Sequence, residues 1–510
     1  MKTKFHLNFF WKYFFICFIL HISLSNQKEN SSNKNKDKNN IVNNNHYYKR
    51  KIDDSEYHPI KILIDESLID STQINFPESF HYALSNITEV FKDLIFVKDD
   101  LNGRKINLDL TKYPNLIREE DKNKINPDII SGIEGYDAVI IMNSIWQAKD
   151  KVKILERSSI NNRPILGYIE LPMGTLTNDK LNLIYYLMQY IIQFLGFSYE
   201  NFEYFNNTNI NKVYETVFEE RMQLNTNYIK TPKVLEIAKK YFDCSSITGL
   251  PLENQNENEL ALWDARYLLG DLMSSRSINQ NNFVDLVLSE FTLALLEDSG
   301  WYQIYYYTGG LMRFGKHKGC DFLNEICSPK FKNEFCDNED DVDQFYYGSC
   351  SSGRQSLTYC SYDSTNYWGT LDYFNSYKGK GEKETDYCLV NEAIFSEIDS
   401  DFSVGNCKYE KNNNYYGSQI SYMSRISPRN AIIDLKEKYS SNSFCILSSM
   451  ITESSNDDFN ILSNGYIFPL CYEMFCSDRT LTIKISEQYI TCPRQGGKVK
   501  LFREFKGHIF

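Results

Sequence analysis

Histidine is scarce in this chain. Seven occur in 510 residues, and none lies between His81 and His317. Imidazole is the commonest metal ligand and the usual acid–base group near neutral pH. Histidine-based metal or proton-transfer chemistry is therefore excluded from that whole stretch. Cysteine is missing between Cys17 and Cys244, and no C-x-x-C pair occurs anywhere. The first absence removes disulfide staples from the N-terminal half, and the second argues against a paired-thiolate zinc unit. No G-x-S-x-G, phosphate-binding loop or dinucleotide fingerprint is present, and no internal repeat. Basic charge is in deficit, with 55 Lys and Arg against 67 Asp and Glu and a formal net charge of −12. That balance disfavours nucleic acid and anionic membrane surfaces as partners.

What is present points to export. Lys2 and Lys4 precede a mostly apolar run from Phe9 to Leu24, and Ser23-Leu24-Ser25 offers a small-residue cleavage site. The strongest apolar core, Tyr13 to Leu20, falls well short of the roughly 20 residues that span a bilayer. Residues 1–25 are read as a cleaved secretory signal, the alternative being an uncleaved anchor. No later stretch could cross a membrane, and the end at Phe510 lacks the apolar tail of a lipid-anchor signal. Once Cys17 leaves with the signal, twelve cysteines remain, from Cys244 to Cys492. An even number in a secreted chain predicts six disulfides of unspecified pairing. Asn86 and Asn206 head glycosylation sequons, as does Asn30.

In chain order, residues 26–56 are rich in Asn, Lys and Ser and read as a disordered linker or remnant pro-segment. Ile60–Ile64, Leu94–Val97, Tyr136–Met142 and Ile165–Ile169 read as strands, and Phe80–Phe91 as a helix. Leu181 to Phe197 reads as one long buried helix. Further helices are expected over Asn211–Gln223, Lys233–Tyr241 and Phe283–Leu296. Eleven of the twelve cysteines fall between Cys320 and Cys492, among many Gly, Ser, Tyr and Asp residues. The acidic run Asp337–Asp343 lacks the glycine of a calcium loop and reads as a solvated loop. The expected architecture is multidomain, mixing α/β and α+β parts. An α/β domain spans 57–198, a helical central domain 199–315, and a disulfide-rich domain of short strands and loops 316–510.

Within the long helix, Gln189 and Gln193 are four apart and share a face. Leu195-Gly196-Phe197-Ser198 closes that helix, and Arg163-Pro164-Ile165-Leu166-Gly167-Tyr168-Ile169 precedes it. Cys244 to Gly249, Trp263 to Met273, Gly319 to Leu323 and Cys492 to Gly497 follow in order. Together, over about residues 57 to 500, these pieces resemble the leishmanolysin-like metallopeptidases, a branch of the metzincins. The resemblance implies a metzincin-like N-terminal domain carrying the active-site helix. It implies zinc-dependent proteolysis and adhesion at the cell surface, and a disulfide at Cys244. It also places the family's three zinc-binding histidines on Gln189, Gln193 and Leu262, its catalytic glutamate on Tyr190, and its methionine turn on Met273.

Those positions do not carry the family's chemistry. Zinc needs three protein donors and an open position for water, with a base to take the proton. A Gln amide is a hard neutral donor suited to calcium or magnesium, leucine has no donor atom, and a phenol of pKa about 10 is a poor base near pH 7. The expectation is a secreted, catalytically silent homologue, with neither zinc nor any other cofactor. It would bind an extracellular protein or surface ligand, at or outside the cell surface. The first alternative is a zinc endopeptidase with non-standard ligands, and the second a disulfide-rich structural surface protein. In the silent reading Tyr190 and Leu262 fill the metal's volume. Arg266 is expected to pair with Asp264 or Asp271.

Overall fold

The computed structural model describes residues 56–69, 77–145, 151–172, 180–205, 213–220, 223–254, 261–275, 286–305 and 312–325. Beyond these it describes 381–393, 405–410, 436–449, 468–477, 480–492 and shorter stretches. The proposed signal and linker, Asn206, the Asp337–Asp343 run and the side chains of Cys336, Cys360 and Cys476 lie outside the described residues. The chain divides into two compact units. One comprises 53–343 with 360–392, and the other comprises 344–359 with 393–510.

The first unit is built on a four-stranded sheet. Its strands are β2 (Ile62–Leu68), β4 (Ala138–Ile145), β5 (Lys151–Arg157) and β6 (Pro164–Pro172), in the order β2-β4-β6-β5. β2, β4 and β6 run parallel, and β5 lies antiparallel at the edge. The apolar run of β4 is buried on both faces. Ala138, Ile140 and Met142 join the main core, and Val139 and Ile141 pack into a second cluster with Ile106, Ile129 and Tyr168. That two-sided burial is why the run is continuous rather than alternating.

Helices α1 (Pro77–Leu94) and α2 (Lys180–Leu195) supply the main core's side of this sheet. Leu183, Leu187, Ile191, Phe194 and Leu195 are fully buried on α2. Each such side chain contributes about 1.5–3 kcal/mol of transfer free energy. Gly167 of β6 allows this approach. A Cβ there would lie 2.4 Å from the Phe194 ring, so any larger residue would push the helix off the sheet. β1 (Tyr57–Pro59) and β3 (Ile95–Lys98) make a separate small sheet with β10 (Tyr302–Ile304). Behind β6, the fully buried Arg163 guanidinium donates to both Asp100 oxygens, at 2.8 and 2.6 Å, and to the Asp137 carbonyl at 3.0 Å. Nearly all its charge is answered locally, as burial demands.

The segment after α2 departs from the expected helix over Asn211–Gln223. Tyr214–Glu219 is strand β7, paired with β8 (Leu224–Ile229), which continues to β9 (Leu250–Pro251). Tyr214, Thr216 and Phe218 alternate with Glu215, Val217 and Glu219, a period-2 pattern with β-branched and aromatic members. A short helix, α3 (Tyr199–Phe202), precedes the hairpin, and α4 (Pro232–Phe242) follows it. Asp298 accepts from Lys233 N and Val234 N and so caps α4 from another element. Helix α6 (Glu290–Asp298) starts later than the expected Phe283–Leu296. The Ser289 hydroxyl accepts from Phe291 N at 3.1 Å and fixes that start, while Val287 bridges to Asp271 in extended form. Between β9 and α6 lies the short helix α5 (Ala265–Leu268). The part between 199 and 315 is therefore mixed rather than helical.

In the second unit, β11 (Ser443–Ser448), β12 (Phe468–Ser477), β13 (Thr480–Ile485) and β14 (Gln488–Thr491) form antiparallel neighbours. Cys350–Cys445 and Cys407–Cys471 staple it, and Cys244–Cys320 and Cys327–Cys388 staple the first unit. The expectation of six disulfides needs a correction, because Cys492 is a free thiol. It follows β14 and its N–H donates to Leu481 on β13, whose partner on the far side is Cys476. A strand separates those two cysteines, so their Cα atoms are roughly 10 Å apart, beyond disulfide reach.

Candidate functional site

The C-terminal end of α2 is closely tied down. Asn201, fully buried, donates from Nδ2 to the carbonyls of Gln193 at 2.9 Å and Phe194 at 3.2 Å. The Tyr302 hydroxyl donates to the Leu195 carbonyl at 2.8 Å. Three carbonyls that the helix leaves unpaired thus find partners. Gly196 then turns the chain against Leu296, whose Cδ2 would sit 3.1 Å from an added Cβ.

Gln189 is half-buried and donates from Nε2 to the carbonyl of Leu272 at 3.1 Å. This bond joins the helix to the segment before Met273. The two glutamines do not bond each other. Gln193 is 3% exposed, and no hydrogen bond joins its side-chain amide to another described residue. Tyr190, 4% exposed, donates its hydroxyl to the Tyr186 hydroxyl at 3.0 Å, and the two rings meet edge to face at 4.9 Å.

The second half of the site is the loop from Ala261 to Ser275. Trp263 N donates to the Met273 carbonyl at 2.7 Å, and Ser275 N donates back to the Trp263 carbonyl at 2.9 Å. Leu262 is 7% exposed and Met273 fully buried, and both belong to the main core. The Trp263 ring meets Phe197, just past α2, edge to face at 4.9 Å. Its indole N–H donates to Thr292 Oγ1 at 3.0 Å. Thr292 in turn donates to the Asp271 carboxyl, which also accepts from Ser289 Oγ and from Met273 N at 2.6 Å. Burial raises the Asp271 pKa to about 6 against the pull of these donors.

Asp264 caps α5 by accepting from Arg266 N at 2.9 Å. Burial, then Asp386 and Glu253, push its pKa well up, and the Arg266 charge opposes them. The Arg266 guanidinium itself donates to the Glu325 carbonyl and lies over the Tyr267 ring at 4.4 Å. The ion-pair expectation therefore holds only as an electrostatic pull on Asp264. Asp271 is committed to Ser289, Thr292 and Met273.

The structure thus brings Gln189, Tyr190 and Gln193 together on one helix and joins them to the Leu262–Met273 loop. Asn86 sits apart, midway along α1, with its Nδ2 donating to the Tyr82 carbonyl at 2.7 Å. Sequence reading passed over Tyr186, although it lies one turn before Tyr190. It named Asp271 only as a candidate partner of Arg266, although its place two residues before Met273 marks an Asx-type turn. As a donor set for zinc, the three assigned positions do not fit: Gln189 and Gln193 offer only neutral, hard amide oxygens, and Leu262 offers no lone pair. No group of three or more His, Cys, Asp or Glu side chains able to hold a metal occurs among the described residues. No described helix is long and apolar enough to cross a membrane.

Residues 124–506 match the leishmanolysin family model, peptidase M8. The chain is 27% identical over 280 residues to a leishmanolysin-like peptidase of Caenorhabditis briggsae, covering 50% of this chain and 39% of that one. It is 27% identical over 237 residues to a leishmanolysin homolog of Crithidia fasciculata, covering 45% and 34%. Against leishmanolysin of Leishmania donovani it is 23% identical over 285 residues, covering 51% and 44%. The matched part thus spans about two-fifths of the length of these curated relatives. The family match extends over most of the chain and takes in α2, the Trp263–Met273 loop and the disulfide-bonded C-terminal part, so this protein belongs to the leishmanolysin family of metallopeptidases.

Proposed function

We infer that this chain is a secreted member of the family without peptidase activity, acting in binding or adhesion outside the cell. One observation carries the reading. The Gln189 amide, at a position that the family gives to a zinc-binding histidine, is engaged as a direct cross-link to the Leu272 carbonyl. Tyr190, at the general-base position, is spent on Tyr186, and Leu262 is an apolar core residue. A metzincin joins these same two elements through its metal. Here a hydrogen bond and an apolar plug hold them, so the scaffold has a means of staying closed that needs no ion.

The experiment is to purify the secreted protein, measure its zinc and incubate it with casein, with and without a chelator. Zinc far below one equivalent and no chelator-sensitive cleavage are expected. Stoichiometric zinc with chelator-sensitive cleavage would overturn the inactive reading in favour of a peptidase with non-standard ligands. For the binding half, beads coated with the protein are expected to attach to cell surfaces above uncoated beads, chelator or not. Equal attachment would sink it.

A further inference from the structure

We propose that the basic surface where the loop 313–318 lies on the C-terminal end of α4 binds a sulfated polysaccharide, with Arg313 and Lys316 as its principal contacts. The segments 231–243 and 312–319 hold six Lys and Arg against two acidic residues, in a chain of formal net charge −12. The Cys244–Cys320 disulfide joins their ends across 76 residues of sequence. His317 N donates to the Tyr241 carbonyl at 2.9 Å, and Gly319 N to the Phe242 carbonyl at 2.8 Å. The Tyr241 hydroxyl donates to the Phe314 carbonyl at 2.8 Å, and Lys316 N to the Arg313 carbonyl at 3.1 Å. The loop is thus held in one shape before any ligand arrives, which lowers the ordering cost of binding.

The side chains of the loop divide by chemistry. Phe314 is buried, whereas Arg313 and His317 are exposed and Lys316 is half-buried. The Lys316 ammonium lies over the Tyr241 ring, 5.5 Å from its centre. Burial lowers its pKa first, and the charge of Arg313 next; Glu290 opposes this, and Lys240 adds to it. Three like charges thus share one neighbourhood, and an anion seated there relieves their repulsion. Among the described residues no carboxylate lies within ion-pair distance of Arg313 or Lys316, whereas Lys318 is already paired with Glu334 at 3.3 Å. Lys240 has interactions of its own, and the site does not depend on it.

The same surface selects the kind of polyanion. None of the exposed large apolar residues among the described ones falls in the two segments, and Tyr241, Phe242 and Phe314 are all buried. These segments therefore offer no ring for base stacking and no apolar wedge for a bilayer, so single-stranded nucleic acid and lipid fit poorly. Sulfate groups need neither. They are recognised by charge and hydrogen bonds, which a guanidinium and an ammonium supply together. Range decides as well. Charges more than about 8 Å from a ligand are largely screened at physiological salt. A thin sugar chain touches this surface alone, whereas a membrane or a duplex would bring the acidic remainder of the protein within that distance. That such a ligand is met at all rests on the extracellular reading above.

The test is fluorescence anisotropy of a labelled heparin oligosaccharide with the purified full chain. Binding is expected at about 50 mM NaCl and should weaken steeply towards about 200 mM. Arg313→Gln with Lys316→Gln, which keeps part of each apolar stem, is expected to raise the Kd at least about tenfold. Arg313→Glu alone, at an exposed position that leaves folding intact, should act in the same direction. Removing equal charge from exposed lysines elsewhere, by Lys92→Gln with Lys105→Gln, should change the Kd less than about twofold. Absence of heparin binding overturns the proposal, and so does an equal loss in the two double variants. Equal affinity for desulfated heparin, for phosphatidylserine vesicles or for single-stranded DNA overturns it too. Neither zinc content nor bead attachment enters this assay, so its failure would leave the inactive, adhesive reading standing, and failure of that reading would leave a positive result here intact.

Discussion

The Gln189 side chain donates to the Leu272 carbonyl at 3.1 Å, across 83 residues of sequence, and ties α2 to the Trp263–Met273 loop. Around that bond lie Tyr190, Gln193, Leu262 and Met273, all at least nine-tenths buried. The region has the packing of a core and holds the Gln189 and Gln193 amides within it.

Gln189 and Gln193 are expected to respond in opposite directions to apolar replacement. Gln189→Met removes a donor and leaves the Leu272 carbonyl without it, at a cost of about 1–3 kcal/mol. Gln193→Met replaces an amide that bonds no described residue with a side chain of similar size, and should be neutral or stabilising. Urea unfolding of both variants is the measurement. Equal losses would contradict the assignment.

Restoring the family residues should restore the metal. The variant Gln189→His, Tyr190→Glu, Gln193→His and Leu262→His is expected to take up about one zinc, with three imidazoles in place. Metal analysis after dialysis reads this directly. Failure of a folded variant to bind zinc would mean that the loop and helix no longer meet in metzincin geometry.

Asp271 predicts a pH dependence. Its folded pKa of about 6 exceeds the ordinary value of 3.8, so folding favours the protonated carboxyl. Its contribution is therefore fully present below 3.8 and lost as pH rises to about 6, amounting to about 3 kcal/mol. Asp271→Asn cannot ionise. The stability of the wild type relative to this variant should fall by that amount between pH 4 and pH 7. A constant difference would show that Asp271 does not titrate in this window.

Cys492 should carry the label when the denatured, unreduced protein is alkylated. Its half-buried thiol has a raised pKa, so labelling of the native protein at pH 7 should be slow. Peptide mapping should recover Cys244–Cys320, Cys327–Cys388, Cys350–Cys445 and Cys407–Cys471 as bridged pairs. Recovery of Cys492 within a bridge would refute the free-thiol assignment.

Much of the N-terminal part was legible from local pattern. The β4 run, the β6 run up to Pro172 and the long helix ending at Gly196 all appear where apolar periodicity placed them. Their burial is two-sided or nearly complete, so hydrophobicity alone marks them. The stretch over Asn211–Gln223 was misread because Val213, Tyr214, Val217 and Phe218 also satisfy helical spacing. Only pairing with β8 and the packing of Tyr214 on α3 decide in favour of a strand.

The sequence by itself determined which atoms stand at the site. No folding can give Leu262 a lone pair or supply a histidine between His81 and His317. It determined equally that Gly167 leaves room for Phe194. Tertiary structure decided what those atoms do. It gave Gln189 a carbonyl to bond and left Gln193 without such a partner. It set Tyr190 against Tyr186, and it placed a strand between Cys492 and Cys476. Each of these outcomes depends on groups far apart in the chain, and their distance is fixed only when helix, loop and sheet pack together.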